Sequence, residues 1–202
     1  MDNNQNMLQK FLTRRNLFIL LGVVIVVEIV WAGWTLSKPA STPLPVTTTP
    51  QTKKSLTAIS LKADKTSIKV GDTVSVSVNI SSDKLTVGTD LYISFDPKLF
   101  SVQTVGTDKA PLIVGNIYPS YPLNTLDLKS GKIAASGITQ NPGGVLANGM
   151  FGTIVFKAKA AGQTKIIIDF TPSSTTDSNV TELSTAQDVL DKVDNLELTI
   201  LP

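Results

Sequence analysis

The chain has 202 residues, with 18 Lys+Arg against 16 Asp+Glu, no His and no Cys. Without imidazole or thiol it can build no Cys/His zinc site, haem ligation through those residues, thiol nucleophile, Ser-His-Asp triad or disulfide. The net charge of +2 is unevenly placed: residues 56–202 hold 12 Lys, no Arg and 14 Asp+Glu, so that stretch carries −2 and offers no cationic cluster for nucleic acid.

Residues 1–16 form a polar tail containing Lys10, Arg14 and Arg15. Leu17 to Leu36, LFILLGVVIVVEIVWAGWTL, follows with Glu28 as its one charge. As a helix these residues span about 30 Å, a bilayer's hydrocarbon thickness, so a transmembrane helix is predicted. Arg14 and Arg15 before it and Trp31 and Trp34 near its end predict a cytoplasmic N-terminus and an extracytoplasmic remainder. The alternative is a secretory signal cleaved after Ala32, although the apolar run exceeds the usual signal length. A carboxylate at membrane depth is costly, so Glu28 is either a partner-helix contact or protonated, or snorkels outward.

Residues 37–55, SKPASTPLPVTTTPQTKKS, contain four Pro and many Thr and Ser. They cannot bury a core and read as an extended linker, at about 3.1 Å per residue a stalk of up to roughly 60 Å.

From residue 56 onward, period-two alternation takes over. Thr73 to Ile80, TVSVSVNI, sets Val74, Val76, Val78 and Ile80 on one face. In Asp90 to Asp96, Leu91, Ile93 and Phe95 face inward while Asp90, Tyr92 and Ser94 face out. Further strands are predicted near Ala58–Ala63, Leu99–Val105, Leu112–Tyr118, Lys132–Ser136, Thr153–Ala158, Thr164–Phe170 and Asn195–Leu201. Turn signals separate them, among them Asp96-Pro97, Ser130-Gly131, Asn141-Pro142-Gly143-Gly144 and Ala161-Gly162. Gly106 to Ser130 reads as irregular, its Tyr118 and Tyr121 either a surface patch or packed beneath the loop. Asp188 to Val193 reads as one helical turn or an irregular approach to the last strand. The pattern predicts an all-β, nine-stranded jelly-roll β-sandwich over residues 56–202. No glycine-rich phosphate loop is present.

Four blocks in this region carry a family resemblance. They are Val70-Gly71-Asp72-Thr73 with VSVSVNIS; Leu91 to Val105, LYISFDPKLFSVQTV; Gly131 to Ser136; and Gly149 to Ile168, GMFGTIVFKAKAAGQTKIII, closed by NLELTI. In this order they resemble a cohesin module, the receptor that captures dockerin modules in cellulosome assembly. The resemblance implies a jelly roll that binds a dockerin-type protein across one exposed sheet face. Carried over to the matching positions, the partner-binding residues are Asp90 and Tyr92, Gln140 and Asn141 in the loop with Pro142, and Asn148 with Met150. Each competes with a plain reading as a solvated strand or turn residue, and Asp96 reads first as the residue that stabilises the Asp-Pro bend.

The resulting expectation is a non-enzymatic, membrane-anchored docking module at the cell surface, linked to polysaccharide degradation, that needs no cofactor. Carbohydrate binding is the main alternative, with Tyr118 and Tyr121 as glycan contacts, although the domain lacks Trp for a flat sugar platform. A structural role in a surface assembly is a further one. Asp177, Asn179 and Glu182 are a candidate calcium cluster, against the plainer reading that acidic loop residues are solvated. Asn179-Val180-Thr181 is also a glycosylation sequon in a suitable host.

Overall fold

The computed structural model describes Glu28 and residues 56–202 apart from Ser173. The chain divides into two compact units, Met1–Thr52 and Lys53–Pro202, and the fold below is that of the second. The expected tail (1–16), membrane span (17–36, save Glu28) and linker (37–55) lie outside the described residues. Among the described residues no helix is long and apolar enough to cross a membrane.

Residues 57–201 form a sandwich of two sheets. Its strands are β1 Thr57–Ala63, β2 Ser67–Lys69, β3 Thr73–Ser81, β4 Leu85–Ser94, β5 Phe100–Gln103, β6 Leu112–Val114, β7 Ser120–Asp127, β8 Lys132–Ile138, β9 Val145–Leu146, β10 Gly149–Ala158, β11 Gly162–Ile168, β12 Asn179–Glu182, β13 Leu190–Asp194 and β14 Leu196–Leu201. One sheet runs β13-β1-β3-β10-β5, with β6 also on β10; the other runs β2-β14-β11-β4-β8-β7, with β9 and β12 also on β4. β1–β13 and β2–β14 are parallel and the remaining pairs antiparallel.

Alternation builds the core as expected. In β3, Val74, Val76, Val78 and Ile80 are buried, and in β4 and its continuation Leu91, Ile93 and Phe95 are. They meet β10, where Phe156 packs against Phe95 and Phe100 at centroid distances of 5.3 and 5.4 Å.

Two of the sequence blocks are joined by one close approach. Asp96 bends the chain after β4: its carbonyl accepts from the Leu99 and Phe100 amides (3.2 and 3.0 Å), and its Oδ1 accepts from the Lys98 amide (2.8 Å). The Gly131 carbonyl accepts from the Phe95 amide at 2.9 Å, with Gly131 at a φ of +67°. A Cβ there would stand 2.1 Å from the Phe95 carbonyl oxygen, so only glycine lets the Phe-Asp-Pro and Gly-Lys-Ile segments meet.

The strand count departs from expectation: the described residues hold fourteen strands where nine are predicted. Four of the additions, β2, β9, β12 and β13, are short pieces of two to five residues, and the fifth is the eight-residue β7. The segment read as irregular contains β7, whose Pro122 argues against a strand until it is seen on the sheet's edge, where a missing N–H costs no ladder bond. Asp188 to Val193 is no helical turn; β13 occupies 190–194 and pairs with β1.

Candidate functional site

The outer face of the eight-stranded sheet is built in rows by register. Opposite Ser94 on β4 stands Lys132 on β8; opposite Tyr92, Ala134; opposite Asp90, Ser136; opposite Gly88, Ile138. β7 extends the rows with Asp127, Thr125 and Leu123 against Lys132, Ala134 and Ser136. On β4's other flank Asn179 pairs with Asp90, Thr181 with Gly88, and Ile167 of β11 with Ser94. The middle of the face is thus made of half-buried groups, the small Ala134 and Ser136 beside Tyr92.

Asp90 lies at its centre. Ser136 Oγ donates to its Oδ1 and Asn179 Nδ2 to its Oδ2 (3.2 Å), so neighbours on both flanking strands fix the half-buried carboxylate. Two rows away a second charged group is neutralised locally: Lys132 Nζ donates to Asp169 Oδ2 (2.7 Å) and to Ser94 Oγ (2.6 Å), and Ser94 Oγ donates to Asp169 Oδ1 (2.6 Å). Between the two, β11 has left β4 and β12 has not begun. Ser178 fills the gap, its Oγ accepting from the Tyr92 amide (2.9 Å), while the Asp169 amide donates to the Tyr92 carbonyl (2.8 Å). The backbone beneath the face is therefore satisfied throughout this stretch.

The six residues expected to bind a partner do not all share this face. Asp90 and Tyr92 do. Gln140 and Asn141 sit in the loop after β8, at the end of the sheet beyond Ile138. Gln140 is exposed. Asn141 is occupied by its own turn, its Oδ1 accepting from the Gly143 amide (3.0 Å) and its Nδ2 donating to the Gly144 carbonyl (3.3 Å). Asn148 is exposed in the two-residue link between β9 and β10. Met150 belongs to β10 in the opposite sheet, opposite Asn79, with Thr153 beside it at 3.6 Å. Alternation alone cannot say which sheet a strand joins. Sequence reasoning missed Ser136 and Asn179. Ser136 is an outward position of KIAASGI, whereas the sequence around Asn179 shows only a sequon and a candidate calcium ligand.

The two tyrosines correct the glycan reading. Tyr118 is 4% exposed, its hydroxyl bonded to Thr86 Oγ1 (2.8 Å) and Thr89 Oγ1 (2.9 Å). Tyr121 is half-buried and donates to the Phe151 carbonyl (2.8 Å). Both rings pack edgewise on buried Phe151, at centroid distances of 6.1 and 5.2 Å. Both pack beneath the loop, and burial closes Tyr118 off from a pyranose. The calcium cluster is likewise not assembled. Asp177 Oδ2 accepts from the Thr171 amide, Asn179 turns to Asp90, and Glu182 turns to Thr185 Oγ1 (2.6 Å) and Lys84 Nζ (3.2 Å). Among the described residues no group of three or more acidic side chains could hold a metal ion.

Thr86 and Thr89 both reach Tyr118 because β4 carries an extra residue. Thr181 pairs with Gly88 but Glu182 with Thr86, so Val87 is bulged out of register. Burial pushes the Tyr118 phenol above its ordinary value, an effect the nearby Asp90 charge adds to and the two threonine hydroxyls partly offset. A phenol raised in the folded state stabilises the fold fully below its unfolded value of about 10 and loses that contribution as pH rises through the folded one. Tyr118→Phe is therefore expected to blunt the alkaline fall in stability, read as the unfolding free energy from about pH 8 to about pH 12. At neutral pH it costs about 1 kcal/mol, because the two hydroxyls lose their shared partner. An alkaline limb identical to wild type would refute the assignment.

The model of the family described as "Cohesin domain" matches residues 59–193. A search of curated proteins found no match. Among solved structures, a type II cohesin domain from the cellulosome of Acetivibrio cellulolyticus superposes with a TM-score of 0.59 at 17% identity, over 71% of this chain and 95% of that one. The second type II cohesin module from the adaptor ScaA scaffoldin of the same organism gives 0.60 at 15% identity, over 72% and 91%. A type I cohesin-dockerin complex from Clostridium thermocellum, Coh-OlpA with Doc918, gives 0.53 at 20% identity, over 71% and 99%. At these identities the superpositions bear on the fold alone.

Proposed function

The chain belongs to the cohesin family, and from that membership we propose that its domain is a docking module that captures a dockerin-type protein through the outer face of β7, β8, β4 and β12. The observation that supports this face most directly is the carboxylate of Asp90, fixed from both flanking strands. A preset acceptor surrounded by Ala134, Ser136 and Gly88 favours a partner that lays a surface flat on the sheet and brings one donor to the centre. Chemistry has no equivalent support here, since the charged groups of the face are tied to one another or to hydroxyls.

The rest of the proposal comes from the sequence. Leu17–Leu36 anchors the module in the membrane with its N-terminus inside, and residues 37–55 hold the sandwich away from the surface, where tethering raises the partner's local concentration. In this reading the captured protein belongs to polysaccharide breakdown at the cell surface.

The test is direct binding between purified residues 53–202 and every dockerin-type module encoded alongside this protein in its source organism. Dockerin modules carry paired calcium loops, so binding to at least one module in calcium, abolished by chelator, is the expected result. Failure of all of them to bind would overturn the reading.

A further inference from the structure

Asn148 is the only asparagine in the chain that a glycine follows. It is exposed in the two-residue link that carries the chain from β9, on β4 of one sheet, to β10, on β3 of the other. Ala147 before it is fully buried, and Gly149 after it holds a φ of +148°. A Cβ built on Gly149 would meet nothing nearer than Asn116 Oδ1 at 3.7 Å, so the space beside its Cα is open. The other asparagines of the sandwich are held or shielded. Asn124 is bonded twice to the Leu112 backbone, Asn179 donates to Asp90, and Asn195 Oδ1 accepts from the Ile168 amide. Asn79 and Asn116 precede isoleucine, whose branched Cβ crowds the amide that follows them. Asn141 precedes proline, which has no N–H. Among the described residues no hydrogen bond reaches the Asn148 side chain, while its main-chain N–H donates to the Leu146 carbonyl at 2.8 Å.

We propose that Asn148-Gly149 is a self-modification site, where the side-chain amide is lost to give aspartate and isoaspartate. The Gly149 nitrogen gives up its proton to hydroxide and attacks Asn148 Cγ. The new N–Cγ bond closes a succinimide ring, the Cγ–Nδ2 bond breaks, and the nitrogen leaves as ammonia with a proton from water. Water then opens the ring. Cleavage at Cγ leaves aspartate; cleavage at the main-chain carbonyl leaves isoaspartate, with the chain now running through Cβ and Cγ. One water is consumed and one ammonia released, with no oxidant, metal or partner. Glycine matters because ring closure needs a backbone rotation that a side chain at that residue would oppose. Isoaspartate adds a main-chain atom to a link of only two residues. β9 pairs with β4 through two residues, so the lengthened link loosens it from the sheet. This site stands whether or not the domain captures a dockerin.

The full chain is aged for days at about pH 7 and about pH 9 and digested with trypsin, which releases residues 133–157 as one peptide. A synthetic peptide of residues 143–154 is aged beside it. Asn148 is expected to gain about 1 Da, faster at the higher pH, and electron-transfer fragmentation should show isoaspartate in part of the product. The rate should exceed that of any other asparagine of residues 56–202 by about tenfold and lie within about tenfold of the free peptide's. Asn148→Gln should remove the gain, because its longer side chain must close a larger ring. Calorimetry should find aged wild type melting below fresh protein, and aged Asn148→Gln unchanged. An Asn148 that stays intact while the free peptide reacts would overturn the assignment, as would a gain that arises first at another asparagine. Isoaspartate at 148 with an unchanged melt would overturn the loosening of β9.

Discussion

Asp90→Lys is expected to weaken capture of the dockerin-type partner by at least a hundredfold while leaving the sandwich folded. Asp90 is half-buried in the middle of β4, and its carboxylate is the acceptor that Ser136 and Asn179 hold in place. Lysine has only donors, so it reverses the hydrogen-bonding sense of the centre as well as its charge, and a partner donor brought against it is left desolvated and unpaired. Losing one member of a buried charged contact costs on the order of 2–5 kcal/mol, and reversing its charge puts the loss above about 2.8 kcal/mol, which is a hundredfold. The fold tolerates the change because the Asp90 side chain points out and the inward residues on either side, Thr89 and Leu91, are untouched. Asp90→Asn separates charge from shape: it keeps an acceptor for Ser136 and is expected to bind with intermediate affinity. Isothermal titration of both variants checks this, and wild-type affinity in Asp90→Lys would move the docking face away from β4.

The sequence exposes the inside of this fold far better than its face. Alternation in TVSVSVNI and LYISF names core residues correctly because burial acts on one strand at a time: every second side chain goes in, whatever the neighbouring strand. A binding face depends on which strands are adjacent, and no local pattern encodes that. Asp90 and Met150 look equivalent as outward residues next to recognisable turns, yet β4 and β10 lie in opposite sheets. Asn179 shows the same limit at close range. It is 89 positions from Asp90 in the chain and becomes its hydrogen-bond donor only because β12 returns to β4 after the loop that follows β11. The short strands were illegible for another reason. β2, β9 and β12 have two to four residues, too few to display a period, and exist because a longer strand offers them an edge.

Phe151→Ala is expected to be the most damaging single substitution at the end of the sandwich beneath the Val87 bulge of β4. The ring is fully buried and receives both tyrosines edge-on, Tyr118 from one side and Tyr121 from another. Gly137 completes the enclosure: a Cβ there would come within 2.6 Å of the Tyr118 ring and 2.8 Å of the Phe151 ring. Backbone bonds hold the site open around the missing ring, since the Phe151 carbonyl accepts both the Gly115 amide (2.8 Å) and the Tyr121 hydroxyl (2.8 Å). A cavity that cannot collapse puts the cost near the upper part of the Phe→Ala range, about 3–5 kcal/mol. For a domain of this size that lowers the melting temperature by roughly 10–15 °C. The consequence extends to function through Tyr118, whose hydroxyl ties together Thr86 and Thr89 on the two sides of the Val87 bulge and so fixes where Leu85 and Asp90 project. With its ring support gone, partner affinity is expected to fall several-fold even well below the melting temperature, although Phe151 touches no residue of the face. Calorimetry together with binding at about 15 °C tests both halves. A stability loss under about 1 kcal/mol would mean that the surrounding rings close the void and that the bulge needs no support from beneath.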